Sequence, residues 1–396
     1  MRAYRILKNK NFGLITLGQM VSTFGDTLFL ITVLWIASTV TDSSVKISLI
    51  SICDTLPAIF LGVFSGAIVD RHSNKKIMIL ADGSRCLLIL FLSFLLLKGL
   101  VNIYFIYVLT LGIAFFQGIY NPAQFSLVPK IVKQEELKDA NSISTFVLNL
   151  ITIVGNSVCG FIFNILGAVG TLLCDCVTFV ISIFCTQKIQ CREEELPKEE
   201  NKDNILEDCY NGIKYLKDNK KLLGYICLSL TLNMISGSFY ILPLFVRNIL
   251  EKDIVIYGFI EAFGALGMLL GAVLAIRIAS VSYYKLLVMM GIGECISFIF
   301  IALGVNVVSV LFFRTIFGIC NSIFNITFAT VFQQEVLENY RGRIYTISFM
   351  LSTITLPIAA IVNGYLADLC GIQIAWILFG VLALLGIIIN KIRHME

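Results

Sequence analysis

With 396 residues of which 58% are apolar and only 14% charged, the chain carries too little polar surface to fold as a water-soluble globule. A mean hydropathy of +0.89, gathered in long apolar runs without ten-residue alternation, excludes a β-barrel and points to an all-α integral membrane protein. The net charge of +4 decides little by itself, because the cations sit at the edges of apolar runs and form no basic patch that would hold nucleic acid.

Crossing the hydrocarbon as helix takes about 20 apolar residues. Spans of that kind are predicted at 12–37, 47–69, 77–97, 102–125, 141–165 and 168–187, and then at 222–246, 255–276, 284–303, 307–332, 344–366 and 373–390. Twelve transmembrane helices therefore fall into two six-helix bundles, 1–187 and 222–396, joined by a cytoplasmic linker at 188–221. Arg2, Arg5, Lys8 and Lys10 precede a run too long for a cleaved signal, so the first span is read as retained. Lys and Arg number 24 in the loops and tails of one side and 4 in those of the other, and still 16 to 4 without the long linker. That asymmetry puts both termini in the cytoplasm of a cell membrane, bacterial inner or plasma.

The linker opens with the charged run 188–204, after which Ile205, Leu206, Cys209, Tyr210, Ile213 and Leu216 recur at helical spacing. An amphipathic helix along the inner surface is expected there, a solvated hinge being the alternative. The halves also share a repeat: Gly118-Ile119-Tyr120-Asn121 returns as Gly318-Ile319-Cys320-Asn321, and Gln134-Glu135-Glu136-Leu137 as Gln334-Glu335-Val336-Leu337, both at an offset of 200. Pseudo-symmetric bundles fit, and transport folds are built from such repeats.

Polar residues within spans are costly and so informative. Gln19, Thr23 and Asp26 share a face of the first span, and Thr110, Gln117 and Asn121 a face of the fourth. Asn233, Ser236 and Tyr240 do so on the seventh, and Arg314, Asn321 and Asn325 on the tenth. Such stripes glue helices together as readily as they line a cavity, but recurrence at every third helix argues for one shared cavity. The buried ions are Asp26, Asp54, Asp82, Arg85, Asp175, Glu261, Glu294 and Arg314. Asp26 lies near mid-span, where a carboxyl can bind and release protons. Asp82 and Arg85, three residues apart, read as a structural pair. Whether Glu294 meets Arg314 is left open by spacing, and Glu261 shares its helix with Gly264, Gly267 and Gly271, which invite close packing.

Twelve cysteines lie scattered, mostly within spans, and form no disulfide or zinc framework. No phosphate-binding loop, metal cluster, nucleophile set or cofactor motif is present, so the chain reads as a non-enzyme without cofactor, driven by a gradient and not by ATP.

The segment Gly66-x-x-x-Asp70-Arg71-x-x-x-Lys75-Lys76 turns the second span into the third. It resembles the signature of the major facilitator superfamily, with Ser73 in place of a common glycine. Phe24-Gly25-Asp26, Asn121-Pro122-Ala123, Asp175 with Phe179, Gly212 to Leu216 and Arg341-Gly342-Arg343 are similar to the macrolide-efflux and enterobactin-export branch. The resemblance spans nearly the whole chain. It implies a central cavity lined by helices one, four, seven and ten, alternating access, and a conformational gate at Gly66, Asp70, Arg71, Lys75 and Lys76, with Asp82 and Arg85 beside it. Departures concern coupling: no cation stands between Asn102 and Gln124, and the fifth span lacks the Gly-Pro-rich pattern of proton antiporters.

The function expected is that of a secondary transporter: a proton-coupled exporter of a moderately hydrophobic drug or metabolite, acting as a monomer among membrane lipids. Substrate- or proton-binding positions would be Asp26, Gln19, Thr23, Gln117, Asn121, Asn233, Tyr240, Glu261, Glu294, Arg314, Asn321 and Asn325. A lysolipid or siderophore flippase is the alternative, and a non-transporting membrane receptor a more distant one.

Overall fold

The structure is a computed structural model and describes residues 9–133, 136–190, 216, 219–278, 282–336 and 341–395. Among them the chain runs as α1 (Lys10–Val40), α2 (Ser44–Arg71), α3 (Asn74–Leu97) and α4 (Ile103–Ile131). A continuous helical stretch, Leu137–Lys188, is broken at Gly167, whose φ of 70° takes the chain through a conformation only glycine adopts without strain. The break falls in the gap between the fifth and sixth expected spans and divides the stretch into α5 (137–166) and α6 (168–188). Then come α7 (Lys220–Gly237), α8 (Ile254–Arg277), α9 (Tyr283–Leu303), α10 (Val307–Glu335), α11 (Arg341–Cys370) and α12 (Ile372–Met395). Eleven stretches among the described residues are long and apolar enough to cross a membrane, and the break at Gly167 makes twelve of them.

The seventh span differs from the uninterrupted helix expected. After Gly237 it tightens into a 3₁₀ turn, Ser238–Ile241, and resumes as Leu242–Asn248. Pro243 explains the interruption, since it has no N–H to donate and its ring crowds the carbonyl four residues back. Asparagine begins every third helix. Asn9, Asn102, Asn219 and Asn306 accept backbone N–H groups at the starts of α1, α4, α7 and α10, satisfying donors that would otherwise be orphaned.

The helices form two compact units. The first holds residues 1–42, 52–199 and 257–262, the second 43–51, 200–256 and 263–396. In unit 1, α1 packs along α5 and α6, and α3 against α4 and the same pair. One end of this unit is filled by Phe12, Ile15, Ile77, Met78, Tyr120 and Leu127 and tied by polar contacts to backbone. There Asn11 exchanges two hydrogen bonds with the backbone of Gln190, and Lys75 Nζ donates to the carbonyls of Gln187 and Ile189, which end α6. Residues 257–262 are held in unit 1 by Trp35 stacked on Tyr257 and by Phe161 set edge-on to Phe259. In unit 2, α9 packs on α10 and α12, and α7 on α11 and α12, around Trp376 ringed by Phe239, Phe245 and Phe298. The start of α2 belongs to this unit: Asp368 of α11 accepts from Ser43 Oγ (2.7 Å), Ser44 N (2.5 Å) and Val45 N (3.3 Å).

The expected amphipathic helix begins among residues 191–215, which lie outside the described residues, as do Gln134, Glu135 and Leu337 of the repeat. Leu216 is buried. Gly66, Asp70 and Arg71 lie in the helical backbone of α2, but their side chains are outside what is described.

Candidate functional site

Two polar centres sit in otherwise apolar helices, one in each unit. In unit 1, α6 presents Asp175, Thr178, Ser182 and Cys185 at a spacing of three or four residues, a single helical face. Facing it, α1 offers Gly18 and Gly25, seven residues apart. A Cβ on Gly25 would collide with Asp175 Oδ1 and Thr178 Oγ1, and one on Gly18 would touch Cys185 at 3.4 Å. Glycine at these positions is what lets α1 lie flush on a polar stripe, and it delivers the next residue, Asp26, into the cluster.

Arg85 of α3 is the hub. Its side chain is 1% exposed and forms an ion pair with Asp26 through Nη2 and with Asp82 through Nη1 at 3.3 Å. The guanidinium also lies 4.3 Å from the Phe179 ring centroid, a cation–π contact worth about 2 kcal/mol when desolvated. Asp82, fully buried, takes a second hydrogen bond from Ser182 Oγ at 2.7 Å. Asp26 is 25% exposed and accepts from Gln117 Nε2 at 3.4 Å, so it is the cluster's member with access to water. Asp175, fully buried, accepts from Thr178 Oγ1 at 3.2 Å, leaves Oδ2 without a partner, and lies close enough for its charge to act on Arg85. Two carboxyl groups thus pair with one guanidinium, and a third, Asp175, acts on it without an ion pair. With every member ionised the set would carry two negative charges in excess.

In unit 2 the centre is divided. Arg314 of α10 is 5% exposed, and its guanidinium lies over Phe239 at 3.8 Å and near Phe317 at 5.4 Å. Gly264 makes room for it, since a Cβ there would stand 2.8 Å from Nε. Gly267 and Gly271 bring α8 onto the carbonyls of Thr315 and Ile319 of α10, the close contact that the glycine spacing invites. Glu294 of α9 pairs with Asn321 and not with Arg314: Asn321 Nδ2 donates to its Oε2 at 3.4 Å, and Asn325 Nδ2 donates in turn to Asn321 O at 2.9 Å.

Of the remaining positions singled out, Gln19, Thr23, Asn233, Tyr240 and Glu261 are half-buried, Asn121 is exposed and Lys76 is exposed. Asp82 and Arg85 do pair, as their spacing suggests, but together with Asp26 of α1. The polar side chains of the cluster that sequence reasoning missed are Ser182 and Thr178, hydrogen-bond partners of Asp82 and Asp175. Their spacing with Asp175 in the sixth span was the available signal.

Twelve spans, two bundle-like units and buried ion clusters define a multi-span membrane protein of the major facilitator class, whose members are transporters. The chain belongs to the transmembrane secretion effector family of that superfamily, whose sequence profile matches residues 2–396. It is 24% identical to macrolide efflux protein A of Streptococcus pyogenes over 100% of both chains. It is 20% identical to the staphyloferrin A transporter of Staphylococcus aureus over 88% of this chain and 87% of that one. The crystal structure of the nucleoside transporter NupG superposes with a TM-score of 0.78 at 13% identity, covering 98% of this chain and 99% of the other, which establishes the fold.

Proposed function

We propose that the chain is a proton-coupled exporter of a moderately hydrophobic organic compound, working by alternating access as a monomer with both termini in the cytoplasm. The supporting observation is the surplus of acid among the described residues of unit 1: Asp26 and Asp82 paired with Arg85, and Asp175 acting on it. If α1 shifts against α3 during the cycle, Asp26 parts from Arg85 and must take up a proton or a hydrated counter-ion. Restoring the pair expels it. The polar faces of α1, α4, α7 and α10, including Gln19, Thr23, Asn121, Asn233, Tyr240, Glu261 and Arg314, serve as cargo-facing surface, and Gly66, Asp70, Arg71, Lys75 and Lys76 as the gate. The names of the relatives, a macrolide efflux protein and a staphyloferrin A transporter, support organic small molecules as the cargo class.

The test is reconstitution into liposomes with a radiolabelled macrolide as probe and an imposed pH gradient, comparing wild type, Asp26→Asn and Asp26→Glu. Asp26→Asn is expected to lose gradient-driven accumulation while keeping exchange at equal pH, and Asp26→Glu to retain part of both. Undiminished gradient-driven flux in Asp26→Asn removes Asp26 from coupling.

One feature favours an amphiphile as cargo. An apolar cavity of about 490 Å³ opens in unit 1, lined by Leu56, Pro57, Phe60 and Leu61 of α2 and Leu111, Gly112 and Phe115 of α4. It offers a hydrocarbon tail contact without any polar partner. Under this second reading lysolipids compete with the macrolide more strongly as their acyl chain lengthens; competition independent of chain length dismisses it.

A further inference from the structure

Glu294 is a fully buried acid of unit 2 whose carboxyl carries no ion pair and a single long hydrogen bond. It stands in the middle of α9, 0% exposed. Oε1 has no partner, and Oε2 has only the 3.4 Å bond from Asn321. Ser297, one turn further on, is already committed to the backbone carbonyls of Gly293 (2.7 Å) and Glu294 (3.0 Å). The neighbouring elements supply no compensating charge. From α10 come Cys320 and Asn321, with Cys295 alongside in the chain, while α12 and α7 approach the same helix through Ile387 and Leu232. Among the described residues no lysine or arginine lies within ion-pair distance of Glu294.

An ionised carboxylate in such surroundings is severely penalised, and one long hydrogen bond does not offset the lost hydration. The neutral acid has no such problem. A glutamine of the same size would need no titration to sit there, so the acid is informative. The site is also connected. Asn325, exposed, donates to Asn321 O and to its Oδ1 at 3.1 Å, and Asn321 donates to Glu294, so an amide ladder one turn long leads from the exposed face of α10 to the buried carboxyl. Gly293 makes this possible, because any side chain there would press on Cys320 Sγ, with a Cβ only 2.7 Å away, and hold α10 off.

We propose that Glu294 is a proton-binding site in its own right, occupied by a proton in this conformation and reached along Asn321 and Asn325, separate from the Arg85 cluster of unit 1. The proposal deepens the proton-coupled reading by giving unit 2 its own proton carrier, but its occupancy is measurable without any cargo. The experiment is infrared spectroscopy of the purified chain in lipid nanodiscs at neutral pH, with ¹³C-labelled glutamate distinguishing glutamic from aspartic acid carbonyls. A protonated-acid band that shifts with the label, disappears in Glu294→Gln and persists in Asp26→Asn is expected. Its hydrogen–deuterium exchange should slow in Asn325→Leu. Should Glu294→Gln fail to fold, Glu294→Asp serves, since it moves the band from the labelled to the unlabelled set. Absence of a label-sensitive acid band at neutral pH, or its survival in Glu294→Gln, overturns the proposal. A band that behaves as expected while Asp26→Asn leaves gradient-driven flux intact preserves the Glu294 site and removes only the coupling role of Asp26.

Discussion

Replacing Arg85 with methionine removes the hub of the unit 1 cluster while keeping a side chain of similar reach. The guanidinium is 1% exposed, so its pair with the fully buried Asp82 at 3.3 Å and its contact with the Phe179 ring at 4.3 Å are not discounted by water, whereas its pair with Asp26 involves a carboxyl that is partly hydrated. Methionine recovers part of the ring contact through its sulfur, about 0.3–1.5 kcal/mol. It recovers nothing of the ion pairs, and stranding a buried partner costs about 3–5 kcal/mol. Asp26, 25% exposed, can rehydrate, so the penalty falls mainly on Asp82. Arg85→Met is therefore expected to lower the unfolding free energy in mixed micelles by about 3–5 kcal/mol. Adding Asp82→Asn, which keeps the Ser182 contact but removes the stranded charge, should restore about 2 kcal/mol, within the usual range of coupling between touching residues. A loss below about 1 kcal/mol in the single variant, or strict additivity in the double, would refute the claim that Arg85 neutralises a buried acid.

Three further outcomes follow from local geometry. Gly25→Ala pushes α1 away from Asp175 and Thr178 and is expected to cost about 1–3 kcal/mol in the same unfolding assay. Gly167→Ala places a side chain at φ 70°, ψ −178°, with open space around it, so backbone strain alone should lower stability by about 1–3 kcal/mol. Asp368→Ala removes the acceptor at the start of α2 and should cost about 1 kcal/mol, as loss of a helix cap does, with faster amide exchange at Ser44 and Val45.

Much of the architecture was legible because membrane crossing imposes a length and an apolar composition that a sequence displays openly. Even the fold-back between α5 and α6 fell where the two expected spans part, at Gly167. The interruption after Gly237 was harder to see, since hydropathy does not report on the missing N–H of Pro243. For the site, charged residues in spans announced themselves singly but not their partners. Asp82 and Arg85 were paired by spacing along one helix, whereas Asp26 lies 59 residues from Arg85 and reaches it only because Gly18 and Gly25 let α1 settle against α6. Whether Glu294 meets Arg314 on the next helix is something that spacing leaves open. The structure gives the first to Asn321 and lays the second on Phe239. The asparagines that begin α1, α4, α7 and α10 are a repeat in plain view that the polar-stripe reading passed over.

The coupling claim is tested most directly by loading liposomes that contain the chain with a radiolabelled macrolide, a siderophore or a lysolipid and following efflux as the pH gradient is collapsed with a protonophore. The account predicts ATP-independent efflux of at least one of these probes that follows the gradient and stops when it is collapsed. Efflux that continues unchanged after collapse, or that requires ATP, contradicts it.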